Sequence, residues 1–573
     1  MKSPLLTLAA LLALATALPN SAQAQQRSGG TVTIVHGAEA IYTADPDRPT
    51  AEAFAMQGGR LLMVGSERPV REAYPDARSL DAEGRTIVPG FIDAHAHLSG
   101  LATSLLQADL VGTSSPDEIV QRLEDFAEER GLPEGAWLTG RGWDQNDWPG
   151  DASFPTREVL DEAFPERPVW LTRIDGHAGW ANTAALEAAG RENIQGADDP
   201  EGGKIIRNEN GEPTGVFVDA AMGMVSEAQP ELTRAERVEG LRRALEQTRS
   251  KGLTGVHDAG IGMETINIYK EAIDEGNFPL RVYAMVDGRG DAFDHFCESG
   301  MMTGQRGLGY GGRLAVRSVK FYMDGALGSR GAALLADYSD DPGNRGLLRR
   351  EPSAFLNDVN AALDCGFQVN THAIGDRANR VVLDAYEQAR ATAGDTDPGR
   401  HRIEHAQILA PADLERFATL GIIASMQPTH ATSDMPWAGE RLGEERLETS
   451  YAWRSLAESG AHLAFGSDFP VEDVDPLEGF YAAVTRQDAE GNPESGWLPS
   501  ERVSRRAALR SFTRGAAYAA FQEDHIGSLR AGKRADFVML SRDIMQVPTD
   551  EILGAEVAAT YLDGEKVYEM GSK

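Results

Sequence analysis

Two histidines, His95 and His97, stand one residue apart at the end of the apolar segment VPGFIDAHAH. In an extended strand, residues two apart project to the same face, so both imidazoles can reach one metal ion. Alone, such a pair is a weak signal, because alternating polar residues are common where strands end. Four further polar residues end later apolar segments: Lys320 in VRSVKFYMDG, His372 in VNTHAIGD, His405 in RIEHAQ and Asp468 in AFGSDFP.

Eight short apolar segments are the elements that would bring these residues together. They alternate with stretches of helical pattern, which is typical of a parallel sheet buried on both faces. The predicted strands are Val88–Ala94, Leu253–Asp258, Leu280–Val286, Ala315–Tyr322, Phe367–His372, Arg402–His405, Gly421–Met426 and His462–Gly466. We therefore predict an α/β fold, a TIM-type (β/α)8 barrel, in which the carboxyl ends of the strands meet at one mouth.

Four imidazoles, a carboxylate and a lysine at one barrel mouth suit a site for two metal ions. A ligand set without thiolate favours zinc, with manganese, iron, cobalt or nickel as substitutes. Two other histidines, His401 and His462, begin their predicted strands and so belong to the opposite, stability face of the barrel. We expect no catalytic role for them.

The segment between the first and second predicted strands, residues 101–251, is far longer than a barrel connection requires. It is rich in Trp, Gly and Asp. We predict that it forms a cap inserted into a barrel domain that spans residues 88–519.

Both ends of the chain have a different pattern, with short β-type segments separated by Gly, Pro and Asp. These segments are residues 31–35, 53–57, 60–64 and 85–88 near one end, and 526–529, 535–540, 557–562 and 566–568 near the other. We predict that residues 25–87 and 520–573 together form a small β-sandwich domain.

The first 24 residues have the pattern of a secretory signal peptide. Met1-Lys2 gives a basic start, an apolar run follows over residues 5–18, and Ala22-Gln23-Ala24 fits the small-x-small cleavage pattern. We predict cleavage near Ala24 and a periplasmic mature protein with no membrane segment. An uncleaved N-terminal anchor is the alternative.

The 573 residues include 55 Lys and Arg against 88 Asp and Glu, a formal net charge of −33. Such an acidic balance argues against nucleic acid or a basic membrane-binding patch, since both need clustered positive charge. The two cysteines, Cys297 and Cys365, can form at most one disulfide, and we expect two buried apolar thiols. The sequence contains no Walker A loop, convincing dinucleotide fingerprint or GxSxG nucleophile elbow.

The five motifs VPGFIDAHAH, VKFYMDGALGSR, NTHAIGDRAN, RIEHAQ and FGSDFP occur in an order that resembles the YtcJ-like amidohydrolase-3 family of the amidohydrolase superfamily, which includes N-substituted formamide deformylases. The resemblance covers nearly all of the mature chain. It implies that His95, His97 and Asp468 hold one metal ion and that His372 and His405 hold a second. It also implies that Lys320 is carboxylated and bridges the two ions; an unmodified Lys320 paired with Asp324 is the alternative.

The activity implied by this resemblance is hydrolysis of a C–N bond in a small amide or formamide-type substrate by a metal-activated hydroxide. Asp468 would also carry a proton to the leaving nitrogen. Fold does not fix substrate, so a metallo-dipeptidase, an N-acyl amino acid hydrolase or a cyclic-amide hydrolase remains an alternative. A non-catalytic binding protein is a further alternative, although all six ligand positions are filled. A homodimer is expected only by analogy with many amidohydrolases.

Eight further residues are candidates for substrate binding. They are His177, His430, Trp143, Asp144, Tyr322, Asp324, Arg330 and Phe469. Tryptophan beside a carboxylate suits an apolar or amine-bearing substrate, but tryptophans of a cap can equally pack its own core. Arg330 would orient a substrate carboxylate or only pin its loop, and Phe469 would form a wall of the pocket.

Overall fold

The computed structural model describes residues 30–150, 153–190, 194–200, 202–304 and 307–572. The predicted signal peptide, residues 1–24, lies outside the described residues. Within these ranges, no helix combines the length and the apolar character needed to cross a membrane.

A parallel eight-stranded barrel forms the centre of the molecule, and all eight predicted strands are confirmed. In chain order, the barrel strands are Phe91–Ala96, Leu253–Ile261, Arg281–Asp287, Leu314–Tyr322, Gln368–Ala373, Arg402–His405, Ile423–Met426 and His462–Phe465. Each strand pairs in parallel with the next. The first begins at Phe91 rather than at Val88, because Thr86–Pro89 forms a separate strand in another sheet.

Backbone hydrogen bonds just beyond the eighth strand close the barrel against the first. The Asp468 N–H donates to the His95 carbonyl at 2.8 Å, and the His97 N–H donates to the Phe469 carbonyl at 2.8 Å. Gly466 permits this approach, since a Cβ there would lie 2.3 Å from Asp93 Oδ1. The closure therefore sets Asp468 beside the two histidines of the first strand.

Helices surround the barrel and bury apolar faces against it. Helix Asp376–Ala393, for example, buries Val382, Leu383 and Tyr386, and helix Arg234–Ser250 starts with a capping box between Thr233 and Glu236. The longer helices of this layer are Leu98–Ser104, Arg234–Ser250, Met263–Asp274, Asp291–Ser299, Pro352–Asp364, Asp376–Ala393, Leu414–Leu420, Trp453–Ser459 and Pro476–Thr485. Further helices are Pro428–Asp434, Ala438–Leu442, Glu444–Leu447, Arg505–Arg510 and Ala516–Ala519.

The insertion after the first barrel strand contains a six-stranded sheet of its own. In spatial order, its strands are Gly203–Arg207, Pro213–Asp219, Ala178–Ala181, Val169–Arg173, Leu138–Trp143 and Ala108–Asp109. Helices Pro116–Arg130, Glu158–Ala163, Thr183–Ala188 and Gly223–Ser226 accompany this sheet. An apolar cluster that includes Leu138, Trp143 and Trp180 forms its core. The cap is therefore a folded unit rather than a long loop.

Segments from both ends of the chain meet in one mixed sheet. Its strands, in spatial order, are Glu565–Glu569, Val557–Leu562, Phe537–Leu540, Thr86–Pro89, Ala40–Tyr42 and Thr50–Ala51. A second sheet is formed by Arg60–Gly65, Ala53–Gln57, Thr33–His36 and Arg78–Asp81, and helix Glu67–Ala73 joins two of these strands. The predicted strand at residues 526–529 is wrong, because Gly527 adopts a φ of +78° that interrupts an extended chain. The exact domain bounds stay a prediction.

The two cysteines form a disulfide, so the expectation of two buried thiols is wrong. Cys297 lies near the end of helix Asp291–Ser299, and Cys365 follows helix Pro352–Asp364. Their Cα atoms are 5.0 Å apart, and 68 positions separate them in the sequence. Both lie at helix ends near the surface rather than in the core, where the bond connects neighbouring helices of the outer layer.

Candidate active site

The carboxyl ends of the barrel strands bring the six predicted ligand residues into one cluster, in which all but the half-buried His97 are buried. Asp468 Oδ1 lies 3.2 Å from His97 Nε2 and 3.5 Å from His95 Nε2. The ring of His405 is centred 4.9 Å from that of His95 and 4.5 Å from that of His372. Lys320 Nζ lies 3.2 Å from His95 Nε2. Residues separated by more than 370 positions in the sequence thus share one mouth of the barrel.

Each of the four histidines directs one ring nitrogen to an oxygen acceptor outside the cluster. His95 Nδ1 donates to Glu404 Oε2 at 2.6 Å, and His97 Nδ1 donates to the Ala259 carbonyl at 2.9 Å. His405 Nδ1 donates to Gln427 Oε1 at 2.9 Å, and His372 Nε2 donates to the Gly325 carbonyl at 3.4 Å. An acceptor on one nitrogen leaves the lone pair on the other, which is the arrangement found around metal-ligating histidines.

Burial keeps the imidazoles of His95, His372 and His405 neutral. It lowers the pKa of His95 to about 4, and the Lys320 ammonium acts in the same direction. Burial also lowers the pKa of His372 and His405 well below the usual value. A neutral imidazole has the lone pair that a metal ion requires. His95, His372 and His405 are therefore in the ligand form at neutral pH.

Burial and the neighbouring charges act in opposite directions on the pKa of Asp468 and of Lys320; the charges prevail at Asp468 and burial prevails at Lys320. Burial raises the pKa of Asp468, but His95, His97 and His405 hold it well below its usual range. Burial lowers the pKa of Lys320, although Glu404 and Asp468 oppose that shift. The predicted alternative of an ion pair with Asp324 is not formed, since Asp324 is occupied by backbone N–H groups.

The backbone is strained at two of the ligand positions. His405 has a φ of 76° and Asp468 a φ of 65°, values that side chains with a Cβ rarely adopt. Such conformations persist only where the surrounding structure imposes them, and they cluster at functional sites. Here they aim an imidazole and a carboxylate into the same cluster.

The donor set fits a divalent metal ion. Ligand atoms of His95, His405 and Asp468 all lie within 4.8 Å of one another, and the three residues are buried. Asp468 Oδ1 has no hydrogen-bond partner among the described residues. A buried carboxylate oxygen without a partner is costly unless a cation binds it. Neutral imidazoles beside a carboxylate are the ligands that zinc and similar ions prefer.

The cap contributes His177 to the mouth. The centre of its ring lies 5.2 Å from that of His372, and its Nδ1 donates to Asp219 Oδ1 at 2.6 Å. Burial lowers the pKa of His177, but the Asp219 carboxylate outweighs that effect and raises it overall. His177, the substrate-binding residue predicted in the cap, therefore lies next to the cluster of ligand residues.

His430 lies on the other side of the mouth, in the helix that follows the seventh barrel strand. Its ring is stacked on that of His405, with the two centres 5.8 Å apart. His430 Nε2 lies 3.7 Å from Asp468 Oδ2 and has no hydrogen-bond partner in the described chain. The position of His430 and its unpaired Nε2 allow it to contact a substrate.

Trp143 and Asp144 both take part in the structure of the cap. Trp143 is fully buried in the cap core, where its Nε1 donates to the Leu171 carbonyl. Asp144 forms an ion pair with the buried Arg173 and caps a short helical turn at Asn146. Both residues are therefore used to build the cap, as the alternative of a cap-core tryptophan implies for Trp143; a substrate contact by Asp144 stays a prediction.

Three of the predicted lining residues after the fourth and eighth strands also have structural roles. Asp324 is buried and accepts backbone N–H groups from Ala333, Ile374 and Gly375 at 2.8 to 3.0 Å. Arg330 pairs with Asp340 at 2.9 Å and so pins its loop. The Phe469 ring is fully buried in the barrel core, so it does not wall the pocket.

Tyr322, in contrast, is half-buried and lines a cavity beside the cluster. Its ring centre lies 5.9 Å from that of His372 and 4.9 Å from Lys320 Nζ. It ends the fourth barrel strand, two residues after Lys320. The structure therefore keeps Tyr322 as a candidate for substrate contact.

Three residues of the site were missed from the sequence. Glu404 and Gln427 orient His95 and His405, and Asp219 orients His177. Glu404 lies two residues after Arg402 in a strand of four buried residues. A charged residue in so short a buried strand is a signal that could have identified it, because buried charge normally has a partner.

A family model described as an amidohydrolase family matches residues 78–568 of the chain. Three relatives extend the match over 92% of this chain. Protein LONG AFTER FAR-RED 3 of Arabidopsis thaliana is 38% identical, and the match covers 90% of its length. The putative amidohydrolase YtcJ of Bacillus subtilis is 34% identical, with 98% of its length covered. The N-substituted formamide deformylase of Arthrobacter pascens is 32% identical, with 97% of its length covered.

Among solved structures, an uncharacterized metal-dependent hydrolase from Pyrococcus horikoshii is similar over 91% of this chain and 99% of its own. The sequence identity is 29% and the TM-score is 0.72. The similarity thus extends over the barrel, the cap and the sheets formed by the two ends of the chain.

Proposed function

The chain belongs to the amidohydrolase family, and from that premise we propose that it is a metal-dependent hydrolase of a C–N bond in a small N-substituted amide or formamide. The observation that carries the proposal is the orientation of the four histidines. Each has one nitrogen bound to an outer acceptor, which leaves the lone pair on the other. For His95 and His97 that second nitrogen, Nε2, lies 3.5 and 3.2 Å from Asp468 Oδ1. The deformylase among the relatives supports a formamide-type substrate.

We assign His95, His97 and Asp468 to one divalent ion and His372 and His405 to a second, with zinc as the preferred metal. Bound ions of this kind supply Lewis acidity and lower the pKa of water toward neutrality. Lys320 would be carboxylated, because a carbamate offers two anionic oxygens whereas an ammonium offers no lone pair. Burial that lowers the pKa of Lys320 supports this, since only a neutral amine reacts with carbon dioxide.

The residues of the chain would hold the substrate and transfer a proton from water to it. Asp468 lies beside His95, His97 and His430 at the mouth of the barrel and would carry a proton from water to the leaving nitrogen. His177 and His430 flank the cluster from the cap and from the barrel, so they would contact the substrate on both sides. Expulsion of water by the cap would strengthen each of these polar contacts.

Export to the periplasm is part of the proposal, and the disulfide supports it. Disulfides persist in oxidising compartments and are rare in reducing ones. A disulfide between Cys297 and Cys365 therefore agrees with the signal peptide predicted at residues 1–24. The homodimer expected by analogy stays a prediction.

Metal analysis combined with substrate screening tests the proposal. Protein grown without added zinc would be stripped with a chelator, reloaded with zinc and bicarbonate, and assayed on N-formyl, N-acetyl and N-acyl amino acid substrates. We expect two ions per chain and activity that returns with the metal. Binding of one ion or none under saturating zinc would contradict the assignment of Lys320.

A matched pair of variants makes this test specific. His372→Asn should lose one ion, because it removes a ligand at the carboxyl end of the fifth strand. His462→Asn should retain both, since His462 begins the eighth strand at the opposite end and stacks on Tyr518. Equal metal content in the two variants would count against the site.

A further inference from the structure

A cavity of about 680 Å³ opens beside Lys320 and Tyr322. It lies where the end of the fourth barrel strand meets the loop after the third strand, the segment at 349–354 and the edge of the cap. Among its lining residues are Asp287, Arg289, Arg349, Arg350 and Glu351. Because the cavity reaches Lys320, a substrate bound at the cluster of ligand residues can extend into the cavity.

The three arginines of this cavity differ in how their charge is used. Arg350 and Arg289 pair with the two oxygens of Asp358, at 3.0 and 3.3 Å. The guanidinium of Arg349 forms no ion pair or hydrogen bond with any described residue, and its Cζ lies 5.3 Å from the centre of the Tyr322 ring. Arg349 is thus the lining arginine whose donors are available.

The backbone of Arg349 is fixed on two sides. Its N–H donates to the Met323 carbonyl at 2.8 Å, next to Tyr322. On the cap side, Gly202 packs against it so closely that a Cβ there would lie 3.2 Å from Arg349 Cα. Because the backbone is already ordered, binding of a ligand by this side chain costs no further backbone entropy. Since Lys320 Nζ and Arg349 Cζ approach the same ring, the two groups lie within about 10 Å of each other.

We propose that Arg349 binds a carboxylate of the substrate, which makes the preferred substrate an anionic N-substituted amide such as an N-acyl amino acid. This inference rests on the proposed function of the neighbouring cluster. Guanidinium groups bind carboxylates in a bidentate, charge-assisted geometry. Arg330, which the sequence suggested for such a role, is occupied by Asp340. Asp287 and Glu351 disfavour an anion elsewhere in the cavity, so the carboxylate is confined to Arg349.

A pair of substrates that differ only in the carboxylate tests the proposal. N-formylphenylalanine would be compared with N-(2-phenylethyl)formamide on the metal-loaded wild-type enzyme and on Arg349→Gln. We expect the kcat/KM ratio of the acid to the neutral amide to fall by about 10- to 100-fold in the variant, mainly through KM. Arg349→Lys should restore part of the ratio, because a lysine keeps the charge and loses the bidentate geometry.

Arg350→Gln is the matched control. It removes the same charge from the neighbouring position, where the guanidinium is already paired with Asp358. Its ratio should stay within about twofold of wild type. An unchanged ratio in Arg349→Gln, or an equal fall in Arg350→Gln, would overturn the proposal.

A binding measurement separates failure of this inference from failure of the proposed function. Calorimetry with 3-phenylpropanoate and 3-phenylpropan-1-ol requires no turnover. We expect the acid to bind the wild type at least tenfold more tightly than the alcohol, and Arg349→Gln to lose most of that difference. If neither formamide is hydrolysed but this difference is lost, the carboxylate site stands and the proposed reaction fails. If the wild type does not prefer the acid, or the variant keeps the preference, the carboxylate site is wrong.

Discussion

His95 Nδ1 donates a 2.6 Å hydrogen bond to Glu404 Oε2, and the side chains of both residues are fully buried. The bond fixes the tautomer of His95 and turns its Nε2 toward Asp468 and Lys320. Arg402 Nη1 lies 3.8 Å from Glu404 Oε1 and offsets part of the charge of this carboxylate. A buried carboxylate in this position also makes the imidazole a more basic ligand.

Glu404→Gln should therefore weaken metal binding. The amide is neutral and can still accept a hydrogen bond, so it keeps the orientation of His95 but not the added basicity. We expect the affinity for zinc to fall by about 10- to 100-fold, measured by competition with a chelator. Glu415→Gln, on the exposed face of helix Leu414–Leu420, is the control. Equal affinities in the two variants would show that Glu404 does not support the site.

Asp468→Asn should impair turnover beyond its effect on metal content. The amide cannot carry a proton, and general acid–base catalysis by a positioned carboxylate is worth about 10²- to 10⁴-fold. The rate should be measured with excess zinc, together with the metal content of the same sample. Activity within tenfold of wild type in a fully loaded variant would remove Asp468 from the proton-transfer role.

The barrel and its ligand residues were predictable because their signals are local. Each of His95, Lys320, His372 and His405 occupies the carboxyl end of an apolar segment, and the period of a strand fixes which residues share a face. Convergence at one mouth then follows from eight parallel strands. The pairing of His177 with Asp219 has no such signal, because it depends on the antiparallel register that places Ala178 opposite Val218.

Residues whose role depends on packing were the ones predicted wrongly. The sequence GRGWDQNDW is compatible with a wall of a pocket or with a core, and only the cap sheet shows that Trp143 is buried among Leu138, Leu171 and Trp180. Arg349 was missed for a related reason. It lies outside the helices and strands, in a segment where no periodicity marks it.

Asp434 should make stability depend on pH. Burial raises its pKa to about 7, although Tyr451 Oη and Gln407 Nε2 donate hydrogen bonds to it. Because the unfolded carboxyl has a pKa near 3.9, the folded state keeps a proton that the unfolded state loses between about pH 4 and 7. Stability from this group is therefore present at low pH and is lost as the pH rises through that window.

Asp434→Asn should remove this dependence, because the amide stays neutral and can accept the same two bonds. Relative to wild type, we expect a higher Tm at pH 8 and a difference that shrinks as the pH falls toward 5. Asp76→Asn, at an exposed position, is the control. A Tm difference that is constant from pH 5 to 8 would show that Asp434 does not titrate differently in the two states.

Removal of the disulfide should destabilise the outer helical layer without changing the site. The bond between Cys297 and Cys365 closes a loop with a sequence separation of 68, for which the entropy of the unfolded chain predicts about 4 kcal/mol. We expect the double variant Cys297→Ser, Cys365→Ala to have a lower Tm than oxidised wild type, and a reductant to lower the Tm of wild type alone. Thiol titration of denatured, unreduced protein should find no free cysteine. Two free thiols in protein purified from the periplasm would mean that the bond does not form. If the bond forms but the double variant has the same Tm as wild type, unfolding begins elsewhere in the molecule, before this loop opens.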